Sequence, residues 1–233
     1  MPINTRKSDS IKRNKTSRVH GSRGLHDIII NLYEGINGFN TYKIGVESDK
    51  NIYGEVSIQG IRNLYDKFMQ YAPLQKAPSV RPKFYDLGSG VGKVVVGMAA
   101  LNSEIECYGI ENVSDRARLA SLAHSKIKSS SLQKRVTFIH DSFLNTNIIL
   151  KNVNWIFISN TCFDSETQDS LVEKIQREVD SGTVIICSRP LAIDSSKFAV
   201  LEKNCTIPMS WSNTSSCYIY KRVPSSTEFK YSP

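Results

Sequence analysis

The stretch Phe84-Tyr85-Asp86-Leu87-Gly88-Ser89-Gly90-Val91-Gly92-Lys93-Val94-Val95-Val96 decides the fold. A short apolar run, an acid, three closely spaced glycines and a second apolar run read as strand, tight loop and helix, the opening βα unit of an open sheet. Glycines at that point let the backbone turn sharply and let a ligand approach where a Cβ would otherwise stand. Gly88 and Gly90 match the start of the dinucleotide fingerprint GxGxxG, but Lys93 occupies its third position, which weakens a nicotinamide or flavin reading.

Downstream, short apolar runs alternate with amphipathic segments, the pattern of successive βα units around a mostly parallel sheet. Strands are expected at 83–87, 105–110, 135–140, 155–159 and 183–187, and helices at 93–101, 114–127 and 166–179, the last opened by a capping-box spacing from Ser165 to Gln168. Two strands without an intervening helix, 197–202 and 216–222, then close the sheet as an antiparallel pair. Upstream, Ile58, Ile61, Leu64, Tyr65, Phe68 and Met69 recur at helical spacing, and a Pro-containing linker separates them from the first strand. The expected organisation is therefore a basic, disordered tail over 1–24, a small N-terminal helical module over 25–80, an α/β domain over 81–223 and a frayed end over 224–233.

The carboxylates fall at informative places. A DxGxGxG loop headed by Asp86, with Gly88, Ser89, Gly90 and Gly92, resembles the S-adenosylmethionine (AdoMet) loop of Rossmann-like class I methyltransferases, in which the acid serves the methionine end of the cofactor. Glu111 ends the next strand, where a carboxylate can accept hydrogen bonds from two vicinal ribose hydroxyls. Asp141, with Ser142 and Phe143 behind it, follows the third strand, where such enzymes place groups against the adenine.

The whole chain of 233 residues carries 30 Lys plus Arg against 22 Asp plus Glu. Residues 1–24 hold seven of these basic side chains against Asp9 alone, so most of the surplus is concentrated in a Ser- and Asn-rich segment suited to contacting a polyanion. No apolar run approaches the ~18 residues of a membrane span, and no apolar stretch follows the N-terminal charges as in a signal peptide, so a soluble intracellular protein is expected. Five scattered cysteines read as reduced thiols packed in strands, and neither they nor the four histidines have metal-ligand spacing, so no metal is expected. The sequence does not fix an oligomeric state.

Further patterns narrow the class. Tyr53-Gly54-Glu55 precedes the amphipathic helix, DLGSGVG is followed by KVVVGMAA and YGIE, Phe157-Ile-Ser-Asn160-Thr-Cys-Phe163 follows the fourth strand, and Met209-Ser-Trp211 precedes Cys217-Tyr218-Ile-Tyr220. In this order they resemble the nucleosomal histone lysine methyltransferases of the disruptor-of-telomeric-silencing family, which lack a SET domain, over residues 50–222. The resemblance implies AdoMet as cofactor, a lysine of the histone H3 core in the nucleosome as substrate, non-specific DNA contact by the basic tail, and a nuclear location. It implies that Tyr53 and Glu55 belong to a loop closing over the cofactor, that Asn160 and Phe163 lie near the methyl and the adenosine, and that Trp211 and Tyr218 line a lysine channel. The family pattern has two consecutive Asn after the fourth strand. Here Ser159 precedes Asn160, and either could face the methyl group.

Two other readings are compatible with the same cofactor loop. An RNA or DNA methyltransferase is disfavoured because enzymes acting on exocyclic amines of bases usually carry two prolines after the fourth strand, and Asn160-Thr-Cys-Phe163 has none. A catalytically silent chromatin-binding module is disfavoured by the intact Asp86, Glu111, Asp141 and glycines.

Overall fold

In the computed structural model, which describes residues 22–41, 54–74 and 80–224, the apolar runs pair into one seven-stranded sheet. The strands are β1 (Lys83–Leu87), β2 (Glu106–Glu111), β3 (Val136–His140), β4 (Trp155–Ile158), β5 (Val184–Cys187), β6 (Phe198–Ile207) and β7 (Ser215–Arg222). Their order is β3-β2-β1-β4-β5-β7-β6, with β1 to β5 parallel and β7 antiparallel to both β5 and β6. This is the mostly parallel Rossmann-like sheet, closed by an antiparallel hairpin, expected from the sequence.

The central strands WIFI and VIIC are buried at every position because helices cover both faces of a parallel sheet. On one face α1 (Ser22–Tyr33), α2 (Ile58–Tyr71) and α3 (Lys93–Leu101) pack Leu25, Ile29, Ile61, Phe68 and Val95 against Phe84, Cys107 and Trp155. On the other, α6 (Ser165–Glu178) sets Leu171 and Ile175 against Leu87, Ile110, Ile156 and Ile158. Phe68 stacks on Trp155, whose indole N–H donates to the Ala72 carbonyl at 3.0 Å, so α2 is fixed to the sheet by area and by a hydrogen bond. The two N-terminal helices thus share one core with the α/β domain.

Several boundaries differ from expectation for local reasons. Helix α1 takes up the last three residues of the segment read as a tail, and its apolar stripe Leu25, Ile29 and Leu32 packs on α3. Residues 1–21 and 225–233 lie outside the described residues. Helix α4 (Ser114–Ser125) stops two residues before Ile127, and a short α5 (Ser130–Gln133) follows, capped by the Ser129 hydroxyl. The α6 N-cap is Asp164, whose carboxylate accepts from Thr167 N at 2.8 Å, one residue before the expected Ser165. Strand β6 extends to Ile207 because two register shifts, between Val200 and Glu202 and between Glu202 and Cys205, interrupt its alternation without ending the pairing.

The cysteine expectation is corrected in part. Cys205 and Cys217 stand opposite one another on β6 and β7, with Cα atoms 5.0 Å apart, and are joined as a disulfide. Cys107, Cys162 and Cys187 are free thiols, and burial raises the pKa of each.

Candidate active site

The strand order reverses between β2 and β4 on either side of β1, and loops leaving the carboxyl ends of neighbouring strands there diverge and leave a crevice. A cavity of about 660 Å³ occupies that place, within the ~300–1,000 Å³ usual for small-molecule sites. Its wall is formed by the glycine loop after β1, the segment after β2, Ser142 to Leu144 after β3, Ser159 and Thr161 to Phe163 after β4, the segment Gly54 to Val56, and Trp211.

The glycine loop is held from below. Gly88 N–H and Ser89 N–H both donate to the Ile110 carbonyl, at 2.9 and 3.0 Å, and Gly92 N–H closes the turn on the Ser89 carbonyl at 2.9 Å. Gly88, Gly90 and Gly92 all have positive φ, and at Gly92 a Cβ would stand 2.3 Å from the Phe138 ring, so both conformation and space require glycine there. Glu111 is buried at the end of β2. One of its carboxylate oxygens accepts from Gly90 N–H and the other from Val113 N–H, both at 2.8 Å, so this side chain ties the first loop to the second. Each oxygen keeps acceptor capacity toward the cavity.

Asp86 is 2% exposed, and burial, then the charge of Glu111, raise its pKa well above the ordinary carboxylate value. Below the unfolded-state pKa of ~3.9 the folded and unfolded carboxyls are both protonated. As pH rises from there through the raised folded value, the unfolded chain releases the proton more readily and stability falls. Asp86→Asn is therefore expected to raise the melting temperature of the protein alone at pH 7.5 while weakening its stabilisation by added S-adenosylhomocysteine (AdoHcy). Thermal melts with and without that ligand check both signs.

Expected positions divide into those the structure brings to the cavity and those it does not. Glu55, Asp86, Gly88, Ser89, Gly90, Glu111, Ser142, Phe143, Ser159, Phe163 and Trp211 line it, whereas Gly92 supports the loop from behind. Phe143 and Phe163 stack with ring centroids 5.3 Å apart, an apolar pair flanking the entry to the β3 and β4 loops. The Ser89 hydroxyl is buried without a hydrogen-bond partner. Asp141 sits outside the lining. Hydrogen bonds from Asn147, the Ser142 N–H and Asn145 lower its carboxyl pKa and spend it on shaping the 141–147 loop. Tyr218 packs half-buried against the cluster around Leu87 and Ile158 and is not among the residues lining the cavity. Tyr53 lies outside the described residues.

The fourth-strand motif resolves into two roles. A 3-10 turn over Asn160–Cys162 rotates Asn160 fully inward, where its amide donates to Gln168 at 3.1 Å and to the Arg189 carbonyl at 3.2 Å and accepts from Arg189 N–H at 2.8 Å. Its polar atoms are thereby committed to joining the β4 and β5 loops, and Ser159 faces the cavity. Asn160→Ala leaves those partners unpaired inside the fold and is expected to cost about 3 kcal/mol, lowering Tm by roughly 6–12 °C. A thermal melt beside Ser159→Ala, expected to melt within about 2 °C of the wild type, separates the two residues.

Some lining residues escaped sequence reasoning. Lys93 lines the cavity, pairs with Glu55 and rests over the Tyr33 ring at 5.4 Å. Arg116, in the first turn of α4, is 8% exposed and also lines it. Gly54 lies directly beneath the Trp211 indole. Only the position of Lys93 after the glycines signalled its place, and charge patterning alone assigns Arg116 to a solvated helix face.

The family model described as histone methylation protein DOT1 matches residues 33–228. The chain belongs to the DOT1 histone methylation family. It is therefore an AdoMet-dependent methyltransferase, and its fold agrees. A Listeria monocytogenes protein assigned to the class I S-adenosylmethionine-dependent methyltransferases superposes with a TM-score of 0.58 at 11% identity, over 87% of this chain and 70% of that one. A Clostridium thermocellum protein assigned as an rRNA methylase gives 0.52 at 16% identity, over 72% and 97%. A glycopeptide N-methyltransferase solved with S-adenosylmethionine gives 0.51 at 10% identity, over 72% and 94%. At these identities the likeness is one of fold.

The cavity also suits that cofactor on its own terms. A glycine-rich loop that leaves room for a close approach, a carboxylate at the end of β2 and a stacked phenylalanine pair are acceptors and apolar surfaces that a charged nucleoside requires.

Proposed function

We propose that this DOT1-family chain methylates a lysine of the histone H3 core in nucleosomes, using AdoMet held in the cavity at the sheet's switch point. The observation that supports this most directly is the convergence of the Glu111-anchored glycine loop with Ser159, Phe163 and the half-exposed Trp211 on one cavity in a chain of this family.

The bound cofactor supplies a methyl group activated on a sulfonium sulfur. The protein's part is to place a neutral amine in line with it. A lysine has a reference pKa of ~10.4, and an aromatic approach excludes water and lowers it by disfavouring the ammonium. Trp211 and Phe163 provide that surface, and Ser159 offers the hydroxyl that orients the nitrogen as its proton leaves to water. Positioning carries most of the rate, so no dedicated base is required. In this reading Glu111 holds the ribose, Phe143 and Phe163 flank the adenosine, and Asn160 and Asp141 shape the loops without touching the reacting atoms.

The basic segment before α1 supplies non-specific DNA contact, which fits a nucleosomal substrate and a nuclear location. Deleting residues 1–21 is expected to lower methyl transfer to nucleosomes and to flatten its salt dependence, with AdoHcy affinity unchanged. Titrations and rates at a series of ionic strengths measure both.

The deciding test is transfer of labelled methyl groups to nucleosomes, free histones and RNA in parallel, with the product mapped by mass spectrometry. Label on one H3 lysine, strongest with nucleosomes, supports the proposal. Label confined to RNA would overturn the substrate and keep the cofactor, and AdoHcy binding without any label would point to a silent module.

A further inference from the structure

We propose that Lys174, buried on α6, is a positioning residue for the cofactor's adenosine, holding the loop after β3 so that Phe143 keeps its place beside Phe163. This rests on the AdoMet reading above and adds to it a residue outside the cavity that shapes the nucleoside's seat.

Lys174 is 2% exposed and is not among the residues lining the cavity, so its charge meets neither solvent nor ligand. Its ammonium donates to the Asn145 carbonyl and to Glu178 Oε1, each at 3.1 Å. Glu178 stands four residues on along the same helix, and its other oxygen accepts from Leu150 N–H at 3.2 Å. Helix α6 therefore grips the segment 141–150 at two points. The nearer grip closes a turn. Asn145 N–H donates to the Ser142 carbonyl at 3.0 Å, and its side-chain amide donates to Asp141 at the end of β3. Phe143 stands within that turn and lines the cavity.

The same helix carries the other ring. Phe163 precedes Asp164, the N-cap of α6, so it is joined to the helix through the chain itself, while Phe143 is joined to it through Lys174. Nine residues, about 13 Å of helix, separate Ser165 from Lys174. One rigid element thus fixes both members of the stacked pair, whose centroids lie 5.3 Å apart.

Stability does not account for a cation at this position. Replacing a buried ion pair by apolar side chains of similar volume is often neutral or stabilising, and the neighbouring Leu171, Val172 and Ile175 already pack this helix with such residues. What an apolar side chain at 174 lacks is a directed donor for a loop carbonyl. Lys174→Met should nevertheless fold, because each partner keeps other bonds. The Asn145 carbonyl retains Ile148 N–H at 3.2 Å, and Glu178 retains Arg177 at 2.8 Å together with Leu150 N–H.

The experiment uses calorimetry on the full chain with AdoHcy and with 5′-methylthioadenosine, which share the nucleoside and differ in the amino-acid tail. Lys174→Met is expected to weaken both by the same factor, about tenfold. If the carboxylate left at Glu178 prevents folding, Lys174→Met with Glu178→Gln removes both charges together and carries the same expectation. A double-mutant cycle with Phe143→Leu separates positioning from general support. Once the ring is gone, Lys174→Met has none to misplace and should weaken binding by less than about twofold further. Unchanged affinity, loss confined to AdoHcy, or the full tenfold loss repeated in the Phe143→Leu background would overturn the proposal and leave the AdoMet reading standing. If the wild type binds neither ligand, the cofactor reading itself fails and this one with it.

Discussion

Glu111→Gln is expected to weaken AdoHcy binding by more than about a hundredfold while the protein still folds, because one carboxylate does three things that an amide does only in part. Its two oxygens accept from Gly90 N–H and Val113 N–H, each at 2.8 Å, from a buried position at the end of β2. An amide keeps one acceptor and turns an NH₂ toward the other N–H, leaving that donor unsatisfied at a cost of about 1–3 kcal/mol. The glycine loop or the segment after β2 then moves, and both line the cavity. The charge that would accept the ribose hydroxyls is lost at the same time. The substitution also relieves Asp86 of the carboxylate that raises its pKa, so part of the stability cost is recovered at neutral pH. A thermal melt close to that of the wild type, combined with loss of AdoHcy binding, is the expected result. Retained binding would place the ribose elsewhere.

What the sequence made legible follows from which features are local. The strand-loop-helix unit at 83–101 could be read because the acid, the glycines and the two apolar runs lie within one short window, and Glu111 because it ends the next strand at the same height in the sheet. The phase of the β4 motif could not be read. In a continuing strand Ser159 and Asn160 would face opposite sides of the sheet, and only the 3-10 turn determines that Asn160 goes inward to Arg189 and Ser159 faces the cavity. Asp141 was placed correctly in the chain, but three nearby donors claim its carboxylate, and spacing along one strand does not reveal what the following loop does with a side chain. The Cys205–Cys217 bond was missed because the strand was read as ending at residue 202, whereas β6 runs on to Ile207 and carries Cys205 into regular register opposite Cys217. Helix α1 was missed because its apolar stripe follows directly on a charged segment whose composition dominated the reading.

Gly54→Ala is expected to lower methyl transfer to nucleosomes by about a hundredfold with little change in stability, for a reason set by one contact. A Cβ on residue 54 would lie 1.8 Å from Cζ3 of Trp211 and within 2.7 Å of two further indole atoms. Backbone conformation is no obstacle at Gly54, which is not among the positive-φ glycines, and Trp211 is half-exposed, so the ring can swing outward and the fold survives. What changes is the wall of the cavity. The loop carrying Trp211 is held at its base by the Cys205–Cys217 disulfide and along its length by Ser57 N–H to the Pro208 carbonyl and Ser210 N–H to the Glu55 carbonyl, so the indole moves while its backbone stays in place. AdoHcy affinity should therefore change by less than about threefold, and the loss should appear in single-turnover transfer. Trp211→Ala supplies the discriminating background. If Gly54→Ala acts by displacing the indole, it has nothing left to displace in that variant, and the double variant should transfer no more slowly than Trp211→Ala alone. Additive losses would show instead that residue 54 acts through its own segment, for instance by shifting Glu55, and the lysine approach would then have to be sought away from Trp211.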